Sequence, residues 1–242
     1  MKDEVQYSKF DWKIKVKIPS LDNKLLAYET GVHIGDGSLQ IVKSGTHSVR
    51  FWGHGTKDWM FVSEILPSVI KELYNKDVVA RKCNDSNKCV LAVCSKAIAT
   101  FKKNILNLPV GKKEQLKALP EFVKKNKSLL ISCLRGIADT DFSLYYQKDG
   151  TPVITCTMSN RNLIVDIANE LNILGFNVKV KLDIKRMKKD KEHFEHKINL
   201  YGKKNLEKWI KIIGFSNPAY FRVLDKNDIF STLKRRPRGA LR

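Results

Sequence analysis

The chain has 242 residues, 43% of them hydrophobic, with 45 Lys plus Arg against 25 Asp plus Glu, a formal charge of +20 and a pI near 9.7. That balance is the electrostatic footprint of a polyanionic partner, nucleic acid first, and the length suffices for two domains of ordinary size. No apolar run approaches the ~18 residues of a membrane-spanning helix, the N-terminal MKDEVQYSKFDW has no signal-peptide core, and five cysteines without a CxxC pair exclude a disulfide framework or a zinc site.

In chain order, WKIKVKI (Trp12 to Ile18) alternates and predicts a strand or arm within residues 1–20. The first repeat, 21–108, opens with an apolar helix through Gly35, followed by the strand-like SLQIVKS and HSVRFWG. The amphipathic DWMFVSEILPSVIKELY comes next, with Pro67 expected to kink or bound its helix. VVARKC and CVLAVCS then flank a turn, and a helix runs from Lys96 to about Asn107. A lysine-rich connector covers 109–127, long enough to join two halves without a partner subunit. The second repeat, 128–232, gives a helix, SLYYQ and PVITCTM around KDG, the helix NLIVDIANELNIL, a long hairpin and NLEKWIKIIG. A basic tail, 233–242, ends the chain. Each half reads αββαββα, so the expected fold is α+β: two pseudo-symmetric repeats whose antiparallel sheets have one covered and one open face, around two central packed helices.

The five cysteines, Cys83, Cys89, Cys94, Cys133 and Cys156, read as buried thiols, with Cys83 and Cys89 facing each other across a hairpin. His193 and His196 fall on opposite faces of a strand, so no histidine metal site is expected.

The most informative feature is a duplication: ETGVHIGDGSL (Glu29 to Leu39) returns as LRGIADTDFSL (Leu134 to Leu144) about 105 residues later. Small residues recur every fourth position, Ala27, Gly31 and Gly35 in one copy and Ser132, Gly136 and Thr140 in the other. Residues four apart share a helical face, so each copy offers a stripe along which two helix backbones can approach closely. Where the stripes end, Asp36 and Asp141 are brought side by side, each followed by an expected turn, Gly37-Ser38 or Phe142-Ser143. Paired carboxylates repel unless a cation lies between them, and hard oxygen ligands of this kind suit Mg²⁺, the usual device for displacement at phosphorus. A duplicated structural helix pair with turn aspartates is the plainer alternative. The common register of the two acids in so basic a chain favours the metal reading.

The two segments resemble the paired motifs of the single-chain LAGLIDADG homing endonucleases, over roughly residues 20 to 225. The eighth position of the nine-residue motif, the catalytic acid, falls on Asp36 and Asp141. The resemblance implies main-chain carbonyls of Gly35 and Thr140 as further metal ligands, Mg²⁺ as cofactor with Mn²⁺ as a substitute, and hydrolysis of both strands of a long asymmetric DNA site to leave staggered ends. Departures are Glu29 and Thr30 at the motif's apolar first pair, expected on a tolerant face, His33 in mid-helix, and Phe142 in place of a glycine. LNLPVGKKEQL (Leu106 to Leu116) resembles the segment supplying an active-site lysine, here Lys112 or Lys113, which would stabilise charge developing on the scissile phosphate. The matching IIGFSNPAYF carries Ala219 and Tyr220 where that lysine is often found, and Lys226 is a candidate substitute. Gly53-His54 and Met158-Ser159 occupy a position that often carries a water-ordering residue, so His54 is a candidate catalytic side chain.

The DNA-reading surface is legible as alternation. From Phe176 to Lys185 even positions are apolar and odd ones polar or basic, and Phe194, Ile198 and Leu200 alternate with Glu195, Lys197 and Asn199. A basic two-stranded ribbon fits the major groove. Candidate contacts are Lys43, Arg50, Arg81, Lys82, Lys88, Lys148, Arg161, Lys179, Lys181, Lys185 and Lys197. Expected partners are double-stranded DNA and, on an alternative reading as an RNA maturase, intron RNA. A third reading is an inert DNA-binding descendant. No membrane partner is expected, and the protein should be monomeric, soluble and intracellular, cytoplasmic or nucleoid-associated. The chain starts with Met and ends Ala-Leu-Arg, without splice-junction residues, which favours a free-standing, intron-encoded protein over an intein.

Overall fold

The computed structural model describes residues 4–42, 45–111, 113–188 and 191–225. Helix α1 (Lys9–Lys13) precedes α2 (Lys24–Asp36), strands β1 (Gly37–Ile41) and β2 (His47–His54), and a π-helical turn Phe61–Ile65 running into α3 (Leu66–Tyr74). Strands β3 (Ala80–Lys82) and β4 (Lys88–Cys94) and helix α4 (Lys96–Asn104) complete the first half. After the short α5 (Glu121–Lys124), the second half runs α6 (Lys127–Asp141), β5 (Phe142–Tyr146), β6 (Pro152–Met158), α7 (Arg161–Ile173), β7 (Lys179–Lys188), β8 (Lys191–Tyr201), α8 (Lys203–Ile212) and α9 (Pro218–Asp225). The strands form two antiparallel four-stranded sheets of identical topology, β1-β2-β4-β3 and β5-β6-β8-β7. The α+β architecture follows directly.

Helices α2 and α6 cross at the centre because their sequences leave out side chains where the backbones meet. A Cβ on Gly31 would collide with the Cys133 carbonyl, one on Gly136 with the Tyr28 carbonyl, and one on Gly35 with the Thr140 hydroxyl. Ala27 is fully buried, and the half-buried Ser132 turns its hydroxyl to the Ser128 carbonyl of its own helix at 2.9 Å. Asn23 and Asn126 cap the two helices, accepting from Leu25 N at 2.7 Å and from Leu129 N at 2.9 Å.

Several expectations need correction. The segment 12–18 is not a strand: Ser8 and Asp11 form a capping box that starts α1, and Lys15, with φ 53°, ends the turn that follows. The acids are not followed by turns. Gly37 (φ −80°, ψ 161°) and Phe142 (φ −86°, ψ 158°) are both extended, so each motif helix passes straight into a strand. Glu29 and Thr30 lie on no tolerant face but are wholly buried, Glu29 bridging the equally buried Lys102 of α4 at 2.6 Å and accepting from Tyr74 at 3.2 Å. Cys94 is exposed, whereas Cys89, Cys133 and Cys156 are buried. The helix at Lys96 stops at Asn104, and α9 was not anticipated.

Pro67 lies in the first turn of α3, where its missing N–H costs little, directly after the π-helical turn. Phe142 joins the core, tilted against the buried Trp209 at a 5.0 Å centroid separation. Its counterpart Gly37 has no such room, since a Cβ there would meet His33 Cγ at 2.7 Å. The halves have exchanged bulk between two positions one helical turn apart: His33 with Gly37, Ala138 with Phe142.

Candidate active site

Because both motif helices end at their acids and cross one turn earlier, Asp36 and Asp141 meet at the floor between the two sheets. Both are half-buried. Burial, then the neighbouring Asp141 carboxylate, pushes Asp36 up to about 7 against the pull of Lys113, with Asp58 adding to the rise. Burial likewise raises Asp141 to about 6, again opposed by Lys113.

Lys113 is the charge already present. Its ammonium donates to the main-chain carbonyl of Gly35, and burial lowers its pKa while both carboxylates counteract that. Lys113 belongs to the connector, yet the second half holds it. Asn160, the N-cap of α7, donates to the carbonyls of Lys113 at 3.2 Å and Leu116 at 2.6 Å, and Asp166 accepts from Leu119 N at 2.7 Å and from Lys124 at 2.6 Å. Gly35, Lys113, Asp141, Met158, Ser159 and Asn160 line a cavity of about 340 Å³. Thus the structure brings Met158-Ser159 to the Asp141 side of the acid pair.

The Asp36 side is built differently. Tyr220 donates to the Phe142 carbonyl and stacks on Phe215, with centroids 4.0 Å apart and planes 11° apart. Asp58 accepts from His54 N at 2.9 Å and from Asn217 Nδ2 at 3.1 Å, and its charge reaches Asp36. Sequence reasoning passed over Asp58, although an acidic residue closing the turn before an amphipathic helix was a visible signal. It also passed over Asp139, which is buried and accepts from Tyr28 at 2.8 Å and from the Ser216 and Asn217 amides at 2.8 and 3.0 Å. The His54 ring is engaged locally, Nδ1 with Thr56 Oγ1 at 3.1 Å and Nε2 with Asn87 Nδ2 at 3.4 Å, and makes no bond to either acid.

Among the described residues no three His, Cys, Asp or Glu side chains converge on a common metal position. The donors expected from the resemblance are the two carboxylates with the carbonyls of Gly35 and Thr140, all hard oxygens. The Gly35 carbonyl already accepts from the Lys113 ammonium. The residues fit a divalent ion completed by oxygens from a bound polyanion.

The open faces of the sheets carry most of the expected basic residues. Strand pairing places Arg50, Arg81 and Lys88 on the uncovered face of the first sheet and Lys179, Lys181 and Lys197 on that of the second. Lys148 lies exposed in the β5–β6 turn, and Arg161, at the start of α7, faces Asp183 at 3.5 Å. Two lie off those open faces. Lys82 pairs with Cys89, so it points to the covered side, and its ammonium lies over the Trp59 ring at 4.8 Å. Lys185 leaves the face of Lys179 and Lys181 because β7 carries a bulge between Lys181 and Ile184. On β8 alternation holds but burial does not follow it: Phe194 is 50% exposed, while Asn199 is buried and accepts from the Thr155 hydroxyl at 2.9 Å. Lys43, Lys112, Lys226 and the tail 233–242 lie outside the described residues.

No protein-family model and no curated protein matches the sequence. Solved structures do match. The homing endonuclease I-DmoI in complex with DNA and Ca aligns with a TM-score of 0.59 at 16% identity, over 86% of this chain and all of that one. The homing endonuclease I-WcaI bound to its DNA recognition sequence aligns at 0.53 and 15%, over 90% of this chain and 93% of that one. Meganuclease I-SmaMI bound to uncleaveable DNA aligns at 0.55 and 12%, over 89% and 92%. The shared fold is that of single-chain LAGLIDADG homing endonucleases. Among the described residues, no helix is long and apolar enough to cross a membrane.

Proposed function

We propose that the protein is a single-chain, site-specific DNA endonuclease of the LAGLIDADG type, encoded within an intron and acting as a monomer, with repeats at 21–108 and 128–232. The observation that carries the reading is the pair Asp36 and Asp141, half-buried side by side at the crossing of α2 and α6 with the Lys113 ammonium on the Gly35 carbonyl, between two sheets whose open faces are basic. DNA-bound homing endonucleases of the same fold support it.

Duplex DNA would lie across the open faces, held at its phosphates by residues such as Arg50, Arg81, Lys88, Lys179, Lys181 and Lys197. Asp36 and Asp141, with the Gly35 and Thr140 carbonyls, would hold Mg²⁺ or Mn²⁺, whose contribution is to activate water and neutralise charge at the scissile phosphates. Lys113, whose own pKa is lowered by burial, would donate to the phosphate oxygen as negative charge accumulates there. Asn160 would position Lys113 through its main chain. Asp58 and Asn217 would orient groups on the Asp36 side. His54 remains a candidate for ordering water only if it leaves Thr56 and Asn87.

The test is cleavage of a plasmid carrying the junction into which the coding intron inserts, with Mg²⁺, Ca²⁺ or EDTA, beside Asp36→Asn/Asp141→Asn. Linear product with Mg²⁺ and wild-type protein alone is the expected result. Uncut plasmid with every metal would overturn it, and binding of the intron RNA would then be measured.

A further inference from the structure

The bulge in β7 exchanges the faces of the long hairpin halfway along its length. Lys181 pairs with Lys197, but the next regular pair is Ile184 with Glu195, so Leu182 and Asp183 together oppose the single residue His196. Asp183 adopts φ 54°, a left-handed conformation that Asp tolerates better than most side chains. Three contacts fix it there: its amide donates to His196 Nδ1 at 3.0 Å, and its carboxylate lies 3.8 Å from that nitrogen and 3.5 Å from Arg161 Nε. Strand β8 is regular throughout, so odd-numbered residues from His193 to Asn199 keep one face. Before the bulge the odd residues Lys179 and Lys181 share that face. Beyond it, Ile184 and Arg186 do.

Side-chain pairing confirms the exchange independently. Arg186 Nε lies 3.4 Å from Glu195 Oε2, and His193 Nε2 lies 3.3 Å from Glu195 Oε1, all three on the face of Lys197. Lys185 instead pairs with Glu192 at 2.5 Å on the opposite side, where Phe194 is 50% and Met187 65% exposed.

We propose that the outer part of the target half-site is read by Arg186, with His193 beside it and Glu195 orienting both, while Lys185 faces away from the DNA. This rests on the DNA-cleavage reading above. A guanidinium held by a carboxylate at one edge keeps its remaining N–H donors in a fixed plane, the arrangement that recognises guanine O6 and N7 in the major groove. Glu195 adds an acceptor that a cytosine amino group can satisfy and that a phosphate would repel, so this trio selects bases rather than merely attracting the backbone.

The probe is a pool of duplex DNA randomised in sequence, selected for binding in Ca²⁺ by wild type, Arg186→Ala and Lys185→Ala. Wild type should return a consensus. Arg186→Ala should return it with one or two outermost positions relaxed, and a duplex mismatched there should lose its about tenfold or greater disadvantage. Lys185→Ala should return the wild-type consensus. Deleting Asp183 removes the bulge but leaves Ile184, Lys185 and Arg186 opposite Glu195, Phe194 and His193, so in that background Arg186→Ala, not Lys185→Ala, should still alter the outer positions. Relaxation by Lys185→Ala in the wild-type background, or no change with Arg186→Ala, overturns the proposal while leaving the nuclease reading intact. A wild-type protein that selects no consensus overturns both.

Discussion

Lys113 and Tyr220 hold the same place in the two halves: each follows by six residues a position of positive φ, Asn107 at 54° and Gly214 at 69°. Each donates to a main-chain carbonyl beside an acid, Lys113 to Gly35 and Tyr220 to Phe142. The first brings a positive charge, whereas the second is neutral, its phenol pushed higher still by burial. Lys113 acts on both acids, whereas the carboxylate of Asp58 raises Asp36 alone of the two. The Asp36 side therefore meets an anionic phosphate with the less positive field.

The strand whose scissile phosphate meets Lys113 should accordingly be cut first. In a time course on supercoiled plasmid, nicked circles should accumulate before linear product, Lys113→Met should slow the first cut by about a hundredfold, and Tyr220→Lys should shorten the life of the nicked form. Simultaneous cutting by the wild type would contradict this.

The acid pair predicts a pH-dependent penalty. Asp36 and Asp141 have folded pKa values raised to about 7 and about 6, so the native state holds protons that the unfolded chain has released. Stability must then fall as pH rises from about 4 to about 7, with the full penalty above that window and none below it. Asp36→Asn should raise Tm by several degrees at pH 8, and leave it nearly unchanged at pH 4. Equal gains at both pH values would mean that charge burial is not the cause.

Much of this was readable in advance because it rests on periodicity and on a duplicated motif. The small-residue stripe at Gly31, Gly35 and Gly136 implied a close helix crossing, and the crossing is where those residues lack the space for a Cβ. Alternation placed Lys179, Lys181 and Lys197 on one face, and they are there. It failed at Asp183 because a bulge depends on a local left-handed residue and its tertiary partners Arg161 and His196, which alternation does not encode. It failed at Trp12 to Ile18 because the capping box at Ser8 and Asp11 outweighs a two-residue period. Burial of Glu29 was invisible for a different reason: its partner Lys102 is 73 residues away.

That buried pair makes a sharp prediction. Glu29 and Lys102 are both without solvent exposure, and Glu29 Oε1 has no hydrogen-bond partner. Lys102→Met alone leaves a carboxylate uncompensated in the core and should cost about 3–5 kcal/mol in urea unfolding. The double change Glu29→Leu/Lys102→Met should recover most of that loss, since a buried ion pair contributes little over well-packed apolar groups. A double variant that loses as much as Lys102→Met alone would show that the pair itself is strongly stabilising.

Asp11 should prove to be a structural anchor although it lies far along the chain from the acids. Its carboxylate accepts from the Ser95 hydroxyl at 2.6 Å and from the Lys96 and Ala97 amides at 3.1 and 3.2 Å, capping α4 from outside that helix, while Oδ2 also accepts from Ser8 N at 2.9 Å. It thus joins the two helix starts, α1 and α4, through one side chain. Removing it leaves several donors unpaired, and each buried one costs about 1–3 kcal/mol. Asp11→Ala should therefore lower stability by at least 2 kcal/mol. Asp11→Asn, which keeps one acceptor oxygen, should lose less, and cleavage by either folded variant at low temperature should match wild type, because no element it holds carries Asp36, Asp141 or Lys113. A variant that melts normally but fails to cut would place Asp11 in the functional machinery instead.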